Sequence, residues 1–157
     1  MNDISVNIDS IKFNYRTALL VEKDDKVYVE CNPEIDFVTL PGGRVKLLES
    51  STEALRREIK EEMGIEIKEE DIDLKSIIEN FFEFDNKKYH ELYFLYMLKK
   101  ELTDDRFKEG TKNIDSKNHY YKWVKKEDLA KENLLPEVLR EVVKSRKFER
   151  VVINSLK

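Results

Sequence analysis

The stretch from Gly43 to Ile65 reads GRVKLLESSTEALRREIKEEMGI, and the rest of the chain is interpreted outward from it. Ser50 followed three residues later by Glu53 is the pattern of a capping box, which predicts that a helix begins there. Gly64 fits the left-handed residue that commonly ends a helix. Between them, apolar residues recur with helical spacing, which predicts one buried face: Ala54, Leu55, Ile59 and Met63.

Three carboxylates lie beside this predicted buried face. At about 100° per residue, Glu58, Glu61 and Glu62 span an arc of roughly 100° at its border. Like charges on neighbouring helical positions repel each other, so the group favours a nearby cation. Oxygen ligands without His or Cys favour Mg²⁺ or Mn²⁺ over zinc. Glutamates on a helix also commonly form a solvated face, so the three carboxylates alone leave both interpretations open.

Upstream of the helix the sequence is typical of strands. Residues 13–22 and 26–30 are rich in β-branched and apolar residues, and the polar residues between them suit a hairpin turn. Residues 37–40 predict a short strand that ends at the chain-breaking sequence 41–43, Pro-Gly-Gly.

Downstream, two apolar runs at 74–84 and 89–98 predict a hairpin joined by residues 85–88. The second run is apolar on both faces, which indicates a central strand. The polar segment 102–118 is long for a connection and indicates a functional loop or lid.

The last part of the chain predicts a strand, a helical turn and a helix, over residues 120–124, 126–131 and 136–145. The apolar residues 151–153 suit packing either within the chain or against a partner, such as a second copy in a homodimer. Together these elements predict an α/β (α+β) fold with three α/β/α layers.

Composition excludes several classes of protein. The 157 residues are 40% hydrophobic and 39% charged, with 8 Phe and 7 Tyr, so the chain is not disordered. A net charge of −4 makes nucleic acid an improbable partner. The single cysteine, Cys31, excludes a disulfide framework and a multi-cysteine zinc site. Without a long apolar run or a signal sequence, we expect a cytoplasmic protein with no membrane partner.

The full spacing G-x5-E-x7-R-E-I-x-E-E-x-G-I, from Gly43 to Ile65, resembles the Nudix box without a mismatch. The order of strands, hairpin and terminal helix also looks like the Nudix fold, so the resemblance implies one Nudix hydrolase domain over residues 1–157. That fold is an α/β/α sandwich with a mixed sheet and a loop–helix–loop catalytic motif. The resemblance implies a MutT-like hydrolase that uses Mg²⁺ or Mn²⁺ as cofactor and binds a small nucleotide.

The resemblance also assigns roles within the box. Glu58, Glu61 and Glu62 look like the metal-binding carboxylates, and the carbonyl of Gly42 resembles the one that reaches a metal. Glu58 also resembles the residue that activates water in some members of the family. A further pair of catalytic residues completes the implied set: Arg57 resembles the arginine that orients a metal-site glutamate, and Glu49 the residue that positions that arginine.

Residues outside the box leave more open. Glu109 resembles the late loop glutamate that serves as general base in MutT-like enzymes, although a solvated loop carboxylate is the alternative. Glu91 is a charge within an apolar strand, which suits either substrate binding or a paired structural role. Phe82 and Trp123 are candidates for stacking on a nucleobase, although aromatic strand residues are more often part of a core. His90 and His119 suit a structural role better than that of a base.

The resulting prediction is a metal-dependent pyrophosphohydrolase that cleaves a nucleoside diphosphate linked to a group X by attack of water at phosphorus. The substrate would be a nucleoside triphosphate, a nucleotide-sugar or a dinucleotide. The alternatives are a non-catalytic Nudix-fold nucleotide-binding or regulatory module, and an RNA 5′-end pyrophosphohydrolase. The intact set of box glutamates speaks against the first alternative, and the acidic net charge speaks against the second.

Overall fold

The computed structural model describes residues 1–103, 105–149 and 151–156. Two helices are embedded among the strands, and the elements follow one another along the chain as β1 (Ser5–Ile8), β2 (Ile11–Leu20), β3 (Glu22–Lys23), β4 (Lys26–Cys31), β5 (Gly42–Arg44), α1 (Ser51–Met63), β6 (Ile72–Phe84), β7 (Lys87–Leu98), β8 (Tyr120–Lys125), α2 (Val138–Ser145) and β9 (Val151–Asn154).

The larger sheet is mixed and has the strand order β1-β2-β7-β6-β9, with β5 paired to β2. β2 runs parallel to β7, and β6 runs parallel to β9, while the remaining pairs in this sheet are antiparallel. β7 lies in the middle, which confirms the prediction of a central strand apolar on both faces. β9 pairs along β6, so Val151 and Ile153 pack within the chain, whereas Val152 is 52% exposed.

Each face of the larger sheet carries its own hydrophobic core. On one face, Leu19 and Leu98 pack with Leu55 and Ile59 of α1. The other face packs against α2 and the smaller sheet, whose strand order is β3-β4-β8. This arrangement confirms the predicted α+β class with a mixed sheet. Among the described residues, no helix is both long and apolar enough to cross a lipid bilayer.

The hairpin after α1 is confirmed, with longer strands and a tighter turn than predicted. Its loop is only Asp85-Asn86, and both residues have positive φ (51° and 58°). Two left-handed residues are the requirement of a type I′ turn, whose twist matches that of the strands. The helix near the end of the chain is also confirmed, although it begins at Val138 instead of Pro136.

The predicted strand over residues 37–40 is wrong. Val38 and Thr39 make only isolated bridges, to Leu134 and Glu30, because their partners belong to different parts of the chain. The glycine pair, predicted as a break, instead forms most of the short strand β5, which pairs with β2. Glycine can supply backbone hydrogen bonds to a sheet while leaving space above and below it.

Candidate active site

α1 is fixed at both ends by its own sequence. The Ser50 hydroxyl accepts a hydrogen bond from the backbone N–H of Glu53, and the Glu53 carboxylate accepts one from the backbone N–H of Ser50. At the other end, Gly64 has a φ of 71° and donates its N–H to the carbonyl of Lys60. The predicted capping box and glycine cap are therefore both present, and they fix where the helix begins and ends.

The guanidinium group of Arg57 connects three glutamates. Its Nε and Nη2 atoms donate to the two carboxylate oxygens of Glu49 at 2.7 and 3.0 Å, a two-point contact. Its Nη1 atom donates to Glu58 at 2.8 Å and to Glu61 at 3.2 Å. A further bond from Nη2 to the carbonyl of Arg44 ties the group to β5. Planar, multi-point contacts of this kind fix carboxylates in position as a single charge cannot.

The carboxylate of Glu58 lies directly against Gly43. A Cβ atom on Gly43 would come within 2.4 Å of the Glu58 carboxyl carbon and within 2.6 and 2.7 Å of its two oxygens. Only glycine therefore leaves room for the carboxylate at this position. Burial raises the pKa of Glu58, and the hydrogen bond from Arg57 partly opposes that rise.

Glu62 is buried and belongs to a second hydrogen-bond network. The hydroxyl of Tyr121 donates to its Oε2 atom at 2.9 Å, and the same hydroxyl accepts a bond from the side-chain amide of Asn113 at 3.1 Å. That amide also contacts Glu30 at 3.3 Å, and His119 Nδ1 lies 2.7 Å from the same Glu30 oxygen. Burial raises the pKa of Glu62 to about 8, and the nearby Glu30 carboxylate adds to the effect.

The donor set suits a divalent metal that is completed by water and substrate. Within the described ranges, no three His, Cys, Asp or Glu side chains converge closely enough to enclose an ion. Mg²⁺, however, usually takes only one or two protein carboxylates and fills its other positions with water and phosphate oxygens. Glu58 and Glu61 both contact the same Arg57 nitrogen, so their carboxylates lie close together. The residues fit an open site for a hard cation.

A cavity of about 600 Å³ lies on the face of the larger sheet that is opposite to α1. Its floor is formed by side chains of β2, β7 and β6, and residues from the loops around Phe37 and Pro136 form part of its wall. Arg16 and Arg44, which are paired across β2 and β5, both line it. A cavity of this size is within the usual range for small-molecule sites.

β5 contributes residues both to this cavity and to the surroundings of the box carboxylates. Successive side chains of a strand point to opposite faces. Arg44 lines the cavity, whereas the adjacent Gly43 lies against Glu58 on the other face. The cavity and the box carboxylates therefore meet at adjacent residues of β5.

The structure brings most of the candidate residues to these two places. Glu49, Arg57, Glu58 and Glu61 surround one guanidinium group, and Glu91 and Phe82 line the cavity. Two candidates, Glu109 and Trp123, lie elsewhere, on or beside β8. The exposed Glu109 carboxylate accepts a hydrogen bond from the backbone N–H of Trp123 at 2.7 Å. The Trp123 indole donates to the carbonyl of Phe107 and packs against Tyr28.

Sequence analysis did not identify several residues of the site. These are Asn14, Arg16, Arg44 and Asn80 in the cavity, and Glu30 and Asn113 behind Glu62. The cavity residues become neighbours through the pairing of β2 with β7, whose partners are far apart in the sequence. An asparagine in a predicted strand is the one signal that could have directed attention to them, because asparagine is depleted in strands.

A family model described as the NUDIX domain matches residues 7–145. The chain belongs to the Nudix family. Nudix proteins of this kind are hydrolases that act on phosphorus-containing anhydrides, which agrees with a set of carboxylates next to a cavity lined by arginines.

Solved Nudix structures share the fold of this chain. The MutT protein from Bacillus halodurans is 19% identical, with a TM-score of 0.64 and alignment over 90% of this chain and 91% of that one. The E. coli dihydroneopterin triphosphate pyrophosphohydrolase is 18% identical (TM-score 0.55; 86% and 94% covered). An ADP-ribose pyrophosphatase from Streptococcus suis is 15% identical (TM-score 0.53; 89% and 98% covered). No curated protein matches the chain by sequence.

Proposed function

We propose that this Nudix protein is a metal-dependent pyrophosphohydrolase, with residues 1–157 acting as one domain that cleaves a nucleoside diphosphate linked to X. The observation that carries the proposal is the Arg57 guanidinium group, which holds Glu49, Glu58 and Glu61 beside the glycine pair and next to the cavity. Hydrolases with solved Nudix structures act on ADP-ribose and on dihydroneopterin triphosphate, so their substrates are phosphoric anhydrides of small molecules.

In this proposal the box residues divide the work. Glu58, Glu61 and Glu62, with the carbonyl of Gly42, would hold Mg²⁺ or Mn²⁺. When bound, the cation would supply neutralisation of phosphoryl charge and polarisation of a water molecule. Arg57 and Glu49 are positioning residues, because they act on the substrate only through the carboxylates that they orient.

The remaining residues bind the substrate and accept the proton of water. Arg16 and Arg44 pair with phosphate oxygens where the cavity meets β5. Glu58 is the better placed general base, because its carboxylate lies against Gly43, the neighbour of the cavity-lining Arg44. Glu109 is the alternative base, and its bond to Trp123 would have to break to release it. Glu91 and Phe82 contact the part of the substrate remote from the metal; Trp123 remains a stacking candidate only if the substrate extends to β8.

The test is a screen for release of phosphate and pyrophosphate in the presence of Mg²⁺ or Mn²⁺. Nucleoside triphosphates, oxidised nucleotides, ADP-ribose, nucleotide-sugars and dinucleoside polyphosphates form the panel. We expect turnover that EDTA abolishes and that Glu61→Gln lowers at least about a hundredfold, a loss of about 3 kcal/mol of transition-state stabilisation. Glu66→Gln is the control, because Glu66 is exposed and its carboxylate pairs with Lys60 instead of Arg57.

Two outcomes would contradict the proposal. One is wild-type turnover in Glu61→Gln with unchanged metal dependence. The other is nucleotide binding without turnover of any member of the panel, which would favour a non-catalytic binding module. RNA with a 5′-triphosphate is included as a last substrate, since its turnover would favour an RNA-end hydrolase.

A further inference from the structure

A row of three buried polar side chains crosses the floor of the cavity. Glu91 of β7 is the direct partner of Asn14 on β2 and of Asn80 on β6. Directly paired residues project to the same face of a sheet, so the three side chains lie side by side. All three line the cavity, and each is less than 10% exposed. Burial of such a row is costly unless its hydrogen bonds are satisfied.

The two amides are oriented toward the carboxylate between them. Asn14 accepts a bond from the hydroxyl of Ser5 at its Oδ1 atom, 2.6 Å away, so its NH₂ group is the part left to donate. Burial raises the pKa of the Glu91 carboxyl, and the neighbouring Arg16 charge and the side-chain amides of Asn80 and Asn14 partly oppose that rise. An ionised carboxylate has about four acceptor sites, so two amide donors leave capacity for a ligand. The row therefore presents an acceptor, held in place on both sides, to the cavity.

Aromatic rings stand next to this row. Phe82 and Tyr89 are direct partners two positions along the hairpin from Asn80 and Glu91. Their rings stack, with centroids 4.9 Å apart and planes 4° apart. Side chains stand roughly perpendicular to a sheet. Tyr89 lies two residues from Glu91 on β7, so a planar ligand packed against these rings would lie beside the Glu91 side chain.

The opposite end of the cavity is cationic. Arg16 follows Asn14 by two positions on β2 and lies across from Arg44 on β5. The order along the cavity is therefore aromatic rings, buried carboxylate, arginines and then the glycine pair next to Glu58. A planar base, its sugar and its phosphates would follow the same order.

We infer that Glu91, held by Asn14 and Asn80, is a specificity residue that selects a base with a ring N–H beside an exocyclic amino group. These two donors match the two oxygens of a carboxylate. The edge of a 2-amino-4-oxopyrimidine has this arrangement and occurs in guanine and in pterins. Adenine presents an unprotonated ring nitrogen at the corresponding position, so the carboxylate repels it. The inference rests on the proposed function, because it names the substrate class of the same site.

The test measures binding of nucleoside monophosphates, which are not hydrolysed, by isothermal titration. GMP, IMP, AMP and dihydroneopterin monophosphate are the probes, and ribose 5-phosphate reports on the sugar alone. IMP keeps the ring N–H of GMP but lacks its amino group. We expect GMP to bind about tenfold more tightly than IMP, the value of one hydrogen bond to a charged group, and AMP to bind more weakly than IMP. Comparison of dihydroneopterin monophosphate with GMP tells whether the site prefers the pterin or the guanine that carries this edge.

The variant Glu91→Gln removes the charge at constant size. We expect it to reduce the GMP-to-IMP ratio to nearly one. Glu83→Gln is the matched control, since Glu83 lines the same cavity but is exposed, and it should keep the ratio. The comparison of GMP, IMP and AMP on the wild-type chain needs no variant and stands even if Glu91→Gln unfolds.

Four results would overturn the inference: equal binding of GMP and AMP, a GMP-to-IMP ratio that survives in Glu91→Gln, ribose 5-phosphate binding that depends on Glu91, or no binding of any monophosphate. The hydrolase proposal is tested separately by Glu61→Gln. If the chain prefers GMP but turns over no substrate, the hydrolase proposal is refuted and the inference about Glu91 stands. If it turns over a substrate but binds GMP and AMP equally, the inference about Glu91 is refuted and the hydrolase proposal stands.

Discussion

The contact between Gly43 and Glu58 permits a sharp test of how the box functions. A methyl group at position 43 would come within 2.4 Å of the Glu58 carboxyl carbon, whereas an ordinary contact begins at 3.4 Å. The carboxylate must therefore retreat by about 1 Å, which also disturbs its 2.8 Å bond from Arg57. A displacement of about 1 Å at a reacting group can lower the rate about a hundredfold. We expect a loss of that size in Gly43→Ala.

The fold itself should tolerate Gly43→Ala. Gly43 is not among the residues with positive φ, and the methyl group meets the end of a side chain instead of backbone. We expect a loss of about 1 kcal/mol in the free energy of unfolding, at the low end of overpacking effects. The assay combines urea unfolding, Mn²⁺ titration and metal-dependent turnover of the substrate found in the screen.

A double-mutant cycle with Glu58→Asp identifies the route of the effect. Aspartate is shorter by one methylene group, so its carboxylate lies farther from position 43. If Gly43→Ala acts by displacing the Glu58 carboxylate, its effect on turnover shrinks in the Glu58→Asp background. Turnover of Gly43→Ala within twofold of wild type, or an equal effect in both backgrounds, would refute the reasoning.

Two further predictions concern stability. Leu48 is 92% exposed and has a φ of 64°, so Leu48→Gly should raise the free energy of unfolding in urea by about 0.5 kcal/mol. This value is the left-handed backbone strain that is relieved, less the entropy that glycine adds to the unfolded chain. Leu47→Gly, where φ is not positive, should destabilise the chain, and equal losses in the two variants would contradict the argument. Burial would raise the pKa of Glu22, but bonds from Arg146 and Lys126 outweigh it and hold that pKa below 4.5. A carboxyl whose pKa is lowered in the folded state stabilises the fold above pH 4.5, and this stabilisation is lost as the pH falls through the lowered pKa. The difference in unfolding free energy between wild type and Glu22→Gln should therefore shrink below pH 4.5 in an acid titration. A constant difference would show that the ion pairs contribute nothing.

The sequence predicted those features that depend on neighbours along the chain. The capping box of Ser50, the end of α1 at Gly64 and the hairpin around Asp85-Asn86 are all local patterns, and all are present. The prediction that β7 is central was also correct, because burial on both faces leaves a visible apolar run in a single strand.

The features that were missed depend on pairing between distant segments. Asn14 is next to Glu91 only because β2 runs parallel to β7 in one particular register. Tyr121 reaches Glu62 because the loop at 110–113 pairs with β8, and loop pairing leaves no periodic pattern in a sequence. The Pro-Gly-Gly sequence was interpreted as a break because its local preference is strong, yet pairing with β2 makes Gly42–Arg44 a strand.

The two faces of the larger sheet have separate cores, and this separation affects how the protein can change. The box helix is anchored in the core that contains Leu55 and Ile59, whereas the cavity is built over the core that contains Ala18 and Leu95. Substitutions in the cavity therefore need not disturb the packing that orients the box carboxylates. New selectivities can arise on one face while the hydrolytic apparatus is inherited intact on the other, which makes the chain a suitable parent for directed evolution of substrate choice.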